Sequence, residues 1–579
     1  VLAGPLFRRE VLINPRPLKH YLMRAGYVLA LFVLMYTAGQ ATIGWQTLGD
    51  IGDAAKFGTF LFSLFAMVQL TIVIAASLLF GSSTVAQEKD KRTLVLLLMT
   101  DLSSVELVVG KLLSALLTVL TLIAVSLPVF ALVHTLGGVS MTQVLWVEVI
   151  CIAAALAAGA WGVLVAFWRE KTFQTLAISV LGAVLFLGLL ELGSVAAGAG
   201  SGISQGLAAF DPYRAVLGVL NPLAAQPGVR TPTVGALSST VSLLGLAAVL
   251  TAYTVLRVRT WNPSQLAFEQ AATAAAEAEK SPSTNRHIHR KVWDAPILWR
   301  EIATRAYGRK MFVIKAGYFV FAALAVLFLY NSPANAGLVL GLISREGFAF
   351  MAVSILALVL TNAQAVTSIT SERDGQTMEL VMVTEVSSRE FILGKLGGVF
   401  FNMKEVLAVP VAFVLAAVSR GTLGGENAVY VLVGLAALAI FAAMLGIHQG
   451  LTYEISRQAI AHSLGTIFFL FVGIFICMML IVEARSSYSL QFLPFLGFIL
   501  GGSMGLYASL SRKNQSPALM LSAGILPFAT FYSITSYLLG NTLGVCVALA
   551  VAYGIPTVAM FVPAASGYDV ALGRSSDKG

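Results

Sequence analysis

Residues 88–112 read EKDKRTLVLLLMTDLSSVELVVGKL, and residues 372–396 read ERDGQTMELVMVTEVSSREFILGKL. The two stretches align without a gap at an offset of 284 positions (396 − 112). Each is a charged segment between long apolar runs, in a chain of 579 residues of which only 11% are charged. An ordinary soluble domain carries about 25%. A charged segment present twice in so apolar a chain reads as a docking surface, although a duplicated interfacial loop with good helix caps would look the same.

Outward from these segments the chain is 58% hydrophobic. Apolar runs of the ~20 residues that a helix needs to span a bilayer lie near 25–44, 58–80, 112–134, 143–167, 173–192 and 235–256. After a polar linker over 258–292 they resume near 312–330, 347–367, 396–418, 427–447, 462–482, 491–510, 517–536 and 541–563. The runs at 491–510 and 517–536 are rich in Gly, Ser and Pro, and read either as two spans or as one re-entrant hairpin. The predicted class is an all-α polytopic membrane protein with about 12 spans, or as many as 14. The net charge of +9 is expected from Lys and Arg gathered in cytoplasmic loops, not from nucleic-acid binding. Arg8, Arg9, Arg16, Lys19 and Arg24, then Lys89, Lys91, Arg92 and Lys111, then Arg169 and Lys171, then Arg257 and Arg259 all fall on one side of alternating spans. Both termini, the linker and both copies of the segment are therefore expected to be cytoplasmic. Cys151, Cys477 and Cys546 sit in apolar runs and suggest neither a disulfide framework nor a metal cluster.

The repeat extends further. Pro5, Arg9, Glu10, Lys19, Ala25, Gly26 and Tyr27 match Pro296, Arg300, Glu301, Lys310, Ala316, Gly317 and Tyr318 in the same order. The reading is two parallel six-span halves, 1–257 and 293–579, each opening on an amphipathic lead-in helix at the membrane surface (about 5–24 and 296–315).

Within each copy, Ser103 with Glu106 and Ser387 with Glu390 fit the capping box that starts a helix. Gly110-Lys111 and Gly394-Lys395 then place a cation at the water boundary, where a lysine can snorkel. The residues from Thr93 to Met99 and from Thr377 to Val383 are too few to span and predict short surface helices. The Gly-Lys pairs are not phosphate loops: the earlier glycine is Val105 or Arg389 here, and Leu112 or Leu396 replaces the final Ser/Thr. No catalytic, cofactor or metal constellation stands out. His287 and His289 are too few ligands for a site, and His134 and His448 read as packed. Asn221-Pro222 and Pro527-Phe528 fit breaks in short, partly inserted helices. Lys404 and Glu405 lie inside an apolar run and mark a candidate intramembrane polar site, with a local contact or a bridge to another span as the plain account.

The order of elements, with the pattern carried by Glu88, Thr93, Leu96, Thr100, Ser103, Glu106, Gly110 and Lys111 and again by Glu372, Thr377, Leu380, Thr384, Ser387, Glu390, Gly394 and Lys395, resembles the ABC-2 type permease family of ATP-binding-cassette transporters. That family often has Gly before the first threonine and Pro after the second. This chain has Arg92 or Gln376, and Asp101 or Glu385. The resemblance implies two coupling helices that dock on ATPase subunits through Glu88, Asp90, Thr93, Leu96, Thr100 and Asp101, and through Glu372, Asp374, Thr377, Leu380, Thr384 and Glu385. It implies two permease units fused in one chain and two nucleotide-binding subunits on separate chains, with ATP and Mg held in those subunits and no cofactor here. The chain itself would be no enzyme. It implies export of an unidentified substrate across a bacterial cytoplasmic (inner) membrane, in contact with lipid. The competing functions are an ion- or proton-coupled carrier built on Lys404 and Glu405, and a membrane scaffold that moves nothing.

Overall fold

Ser103 and Ser387 set the start of two helices of equal length. In each case the serine side chain accepts a bond from the backbone N–H three residues on (Glu106 or Glu390, 3.2 Å), and that glutamate accepts from the serine N–H (3.1 Å). Two orphan donors at each helix start are thereby satisfied, as a capping box requires. Both caps belong to a computed structural model that describes residues 7–8, 11–12, 18–43, 51–90, 93–169, 172–198, 201–220, 235–262, 293–303, 311–331, 343–484, 488–511, 516–538 and 540–571.

In chain order the helices are α1 (Leu18–Thr42), α2 (Ile51–Asp90), α3 (Thr93–Leu98), α4 (Ser104–Thr135), α5 (Met141–Trp168), α6 (Thr172–Ala196), α7 (Gly202–Ala208), α8 (Pro212–Leu220) and α9 (Ala236–Trp261). They continue with α10 (Pro296–Ala303), α11 (Met311–Asn331), α12 (Arg345–Asp374), α13 (Met378–Met382), α14 (Ser388–Ser419), α15 (Gly425–Thr452), α16 (Ser456–Ala484), α17 (Tyr488–Leu510), α18 (Pro517–Leu538) and α19 (Thr542–Ala571). Among the described residues there is no β-strand, and 13 helices are long and apolar enough to cross a membrane. In a bilayer a helix satisfies its own backbone polar groups, and this is an all-α polytopic integral membrane protein. The six runs expected before the linker are all helices. After it, seven are full-length candidates and α17 contributes a shorter apolar stretch, Phe495–Leu510. α17 and α18 are two long helices packed together, not a short hairpin. Short helices do occur before α9, as α7 and α8. Asn221-Pro222, the linker histidines and residues 5–6, 9–10 and 13–17 of the first lead-in segment lie outside the described residues, and of the second only α10 and the start of α11 lie within them.

Small residues decide how closely the helices approach. A Cβ on Gly162 in α5 would lie 2.9 Å from the Leu78 carbonyl oxygen and 3.1 Å from the Ser82 nitrogen of α2. A Cβ on Gly446 in α15 would lie 2.9 Å from the Asn362 carbonyl oxygen and 2.8 Å from the Val366 nitrogen of α12. All three residues of the second crossing stand 284 positions after those of the first. Such backbone contact replaces the hydrophobic drive that is missing between helices in lipid. α6 packs on α2 and also on α11 and α12, whereas α16 packs on α12 and also on α1 and α2.

Candidate functional site

The repeated segments lie at the ends of α2 and α12. In each, a threonine opens the short helix and its hydroxyl donates to the carbonyl five residues back: Thr93 to Glu88 at 3.3 Å, Thr377 to Glu372 at 3.2 Å. A second threonine closes it, with Thr100 donating to Leu97 and Thr384 to Val381, both at 2.6 Å. One side of α3 is held against the bundle by buried Leu94 and Leu98, and one side of α13 by buried Met378 and Val381. The other side is bare. Leu96 is 62% exposed and Met99 64%; Leu380 is 70% exposed and Val383 87%. These four residues form two pairs at the repeat offset. Thr93, Thr100, Asp101, Thr377, Thr384 and Glu385 are exposed beside them.

The acidic residues at the start of each segment do something else. Glu88 turns inward and pairs with Lys111, and Glu372 pairs with Lys395 at 2.6 Å. Their placement differs from the expected docking face, and the lysines differ from the expected snorkelling cations. Lys395 is only 1% exposed. Its ammonium also donates to Glu301 at 2.7 Å and to the Ser368 carbonyl at 3.2 Å. Arg300 completes the group by pairing with Glu372. The physical reason is balance. Two carboxylates and two cations balance in charge at the base of α14, so the lysine has no need to reach water. α10 can sit close enough for this because of glycine: a Cβ on Gly394 would fall 2.8 Å from the Ile297 Cβ, and one on Gly398 2.7 Å from the Glu301 Cβ. Gly110 is buried at the matching place in α4. Asp374 is half-buried, and the side chain of Asp90 lies outside the described residues.

A further basic residue follows each of these glutamates. Lys89 donates to the backbone carbonyls of Phe167 and Arg169 (3.0 Å for the latter), closing the end of α5. Arg373 donates to Tyr453 and to Gly450 (2.6 Å for Gly450), closing the end of α15. Cations suit helix C-termini, and both lie at the repeat offset. The roles of Arg300, Glu301, Lys89 and Arg373 escaped the sequence reading, although the paired positions Arg9/Arg300 and Glu10/Glu301 carried the signal for two of them.

Lys404 and Glu405 are each engaged by a further group. Glu405 pairs with Lys315 of α11 at 2.5 Å, and the Lys404 ammonium stands 4.1 Å from the centre of the exposed Phe401 ring. A more enclosed carboxyl lies elsewhere. Glu148 in α5 is buried; its carboxyl accepts from Gln69 Nε2 at 2.8 Å and from Ser126 Oγ at 3.1 Å, and the Tyr27 hydroxyl donates to Gln69 Oε1 at 3.2 Å. An acidic residue alone in the run 143–167 was the available signal. His448 is packed as expected and bonded to the carbonyl of Leu510; His134 is exposed instead, at the end of α4, and bonded to the carbonyl of Val139. The three cysteines are free and buried. Among the described residues no group of three or more His, Cys, Asp or Glu is placed to hold a metal.

No protein-family model, curated protein or solved structure matches this chain.

Proposed function

We propose that the chain is the transmembrane subunit of an ATP-driven exporter of the ABC-2 type. It carries two parallel permease units and docks two ATPase subunits through α3 and α13. The observation that carries this reading is the repeated lever. Each short helix is anchored by apolar residues on one side and leaves an apolar pair, Leu96 with Met99 or Leu380 with Val383, open on the other. An apolar core ringed by polar residues is how protein interfaces are built, and exposed Thr100, Asp101, Thr384 and Glu385 supply the ring. The matched caps, the matched glycine crossings and the reciprocal packing of α6 and α16 support the two-unit reading. Glu405 pairs with Lys315 at 2.5 Å, the bridge to another span that is the plain account of this charge, and the docking reading draws nothing from it.

The test is co-purification with ATP-binding-cassette ATPase subunits from the same cell, with ATPase stimulation as readout. Leu96→Asp with Leu380→Asp should abolish recovery of the ATPase and leave the melting temperature of the chain unchanged. ATPase stimulation or transport that survives deletion of both segments would sink the proposal.

A further inference from the structure

A cavity of about 1990 Å³ lies at the end of the bundle remote from the repeated segments. It is about twice the upper end of the ~300–1,000 Å³ usual for small-molecule sites. Along α12 its lining runs from Ser344 to Val359, a depth of about 22 Å at 1.5 Å per residue. That is somewhat more than one leaflet of a hydrocarbon core ~30 Å thick. Most of the wall comes from α11, α12, α14, α15, α16 and α19, with α2 and α8 closing it from the other unit.

The wall chemistry is selective. Phe350, Phe413, Phe468, Phe471, Phe475 and Met478 dominate the interior. The deep polar groups are mostly occupied: Tyr213 donates to Thr71 at 3.2 Å and Ser63 to the Thr59 carbonyl at 2.6 Å. Among the described residues, only the Ser354 hydroxyl of this interior is buried without a partner. A sugar or peptide inside would strand its donors and acceptors, at about 1–3 kcal/mol for each group. The mouth differs, with Arg420, Glu346, Asn427 and Thr422 around it, and no carboxylate pairs with Arg420 among the described residues.

Building on the transport reading, we infer that this chamber takes a phospholipid, with acyl chains among the phenylalanines and its anionic headgroup on Arg420. Soft aromatic and thioether walls suit chains of variable shape. The substrate-facing unit is then the second one, and glycan and peptide cargo are excluded from the chamber.

The experiment uses the full chain in nanodiscs and a phospholipid with a diazirine in its acyl chain, with labelled peptides mapped by mass spectrometry. Labelling should concentrate in 412–423 and 468–479. Gly434 lines the chamber, and a Cβ there meets only Leu549 Cδ1, at 3.8 Å. Gly434→Phe should therefore project a ring into the chamber and lower labelling severalfold, whereas Gly434→Ala keeps it. Arg420→Ala should weaken labelling by the phospholipid about threefold, the scale of an exposed ion pair, and leave labelling by a diacylglycerol of the same chains unchanged. Labelling confined to outward-facing Leu244 and Val249, or indifferent to Gly434→Phe, would overturn the inference. So would equal labelling by a diazirine-bearing maltotriose. No ATPase subunit enters this assay, so its failure leaves the docking proposal to be judged on its own test.

Discussion

At the tips, the first and second segments use the same bonds at the same offset: cap, threonine latches, inward glutamate and exposed apolar pair. Behind the tips the two regions part. The first unit buries a carboxyl, Glu148, with Gln69 and Ser126. At the matching positions the second unit has Leu432, Val353 and Pro410, and Tyr318, the counterpart of Tyr27, donates to the Val353 backbone at 3.1 Å instead. The second unit supplies most of the chamber wall. The difference teaches that the contact surface and the membrane interior answer to separate demands. On the docking proposal, a surface that fits the same partner twice stays alike, while the interiors are free to diverge.

The largest effect should come from the charge cluster. Lys395→Met leaves the buried Glu301 and half-buried Glu372 with one cation fewer, at a cost of about 3–5 kcal/mol. Lys111→Met, in a more open pair, should cost clearly less. Unfolding of the detergent-solubilised variants measures both, and equal losses would remove this contrast between the units. Next come the crossings. Gly162→Leu and Gly446→Leu force α5 off α2 and α15 off α12, and each should lose about 1–3 kcal/mol; unequal losses would mean that the matched geometry hides unmatched packing. Glu148→Leu should cost about 1–3 kcal/mol by stranding the Gln69 amide, since Ser126 keeps its bond to the Ile123 carbonyl, whereas Glu148→Gln, which keeps the shape and can still accept, should stay near wild type. The smallest effect is at Gln376, whose φ of 55° lies in the left-handed region. Gln376→Gly should stabilise by up to about 1 kcal/mol, seen as a small rise in melting temperature.

Gln376 also shows what the sequence could tell. The residue preceding Thr377 turns the chain at the end of α12, and the glycine common there in the resembling family is the residue that such a φ favours. Helices, caps and the position of the segments were legible because period, length and serine–glutamate spacing are local signals. The partners of Lys395 were not. A Gly-Lys pair at a membrane boundary looks the same whether the lysine reaches water or a carboxylate on a helix about ninety residues away. The chamber was equally hidden, since its wall draws on eight helices and no single run differs from an ordinary span.

The ammonium of Lys395 touches carboxylates from α10 and α12 while its own backbone belongs to α14. Three helices are thus riveted at one point, at the end of α12 that leads into α13. A force applied to α13 has no joint there at which to dissipate. It is handed on to α10, α12 and α14 together, and α12 also lines the chamber. Where the molecule bends must be sought elsewhere, and the rivet predicts that crosslinking α10 to α14 would leave transport intact.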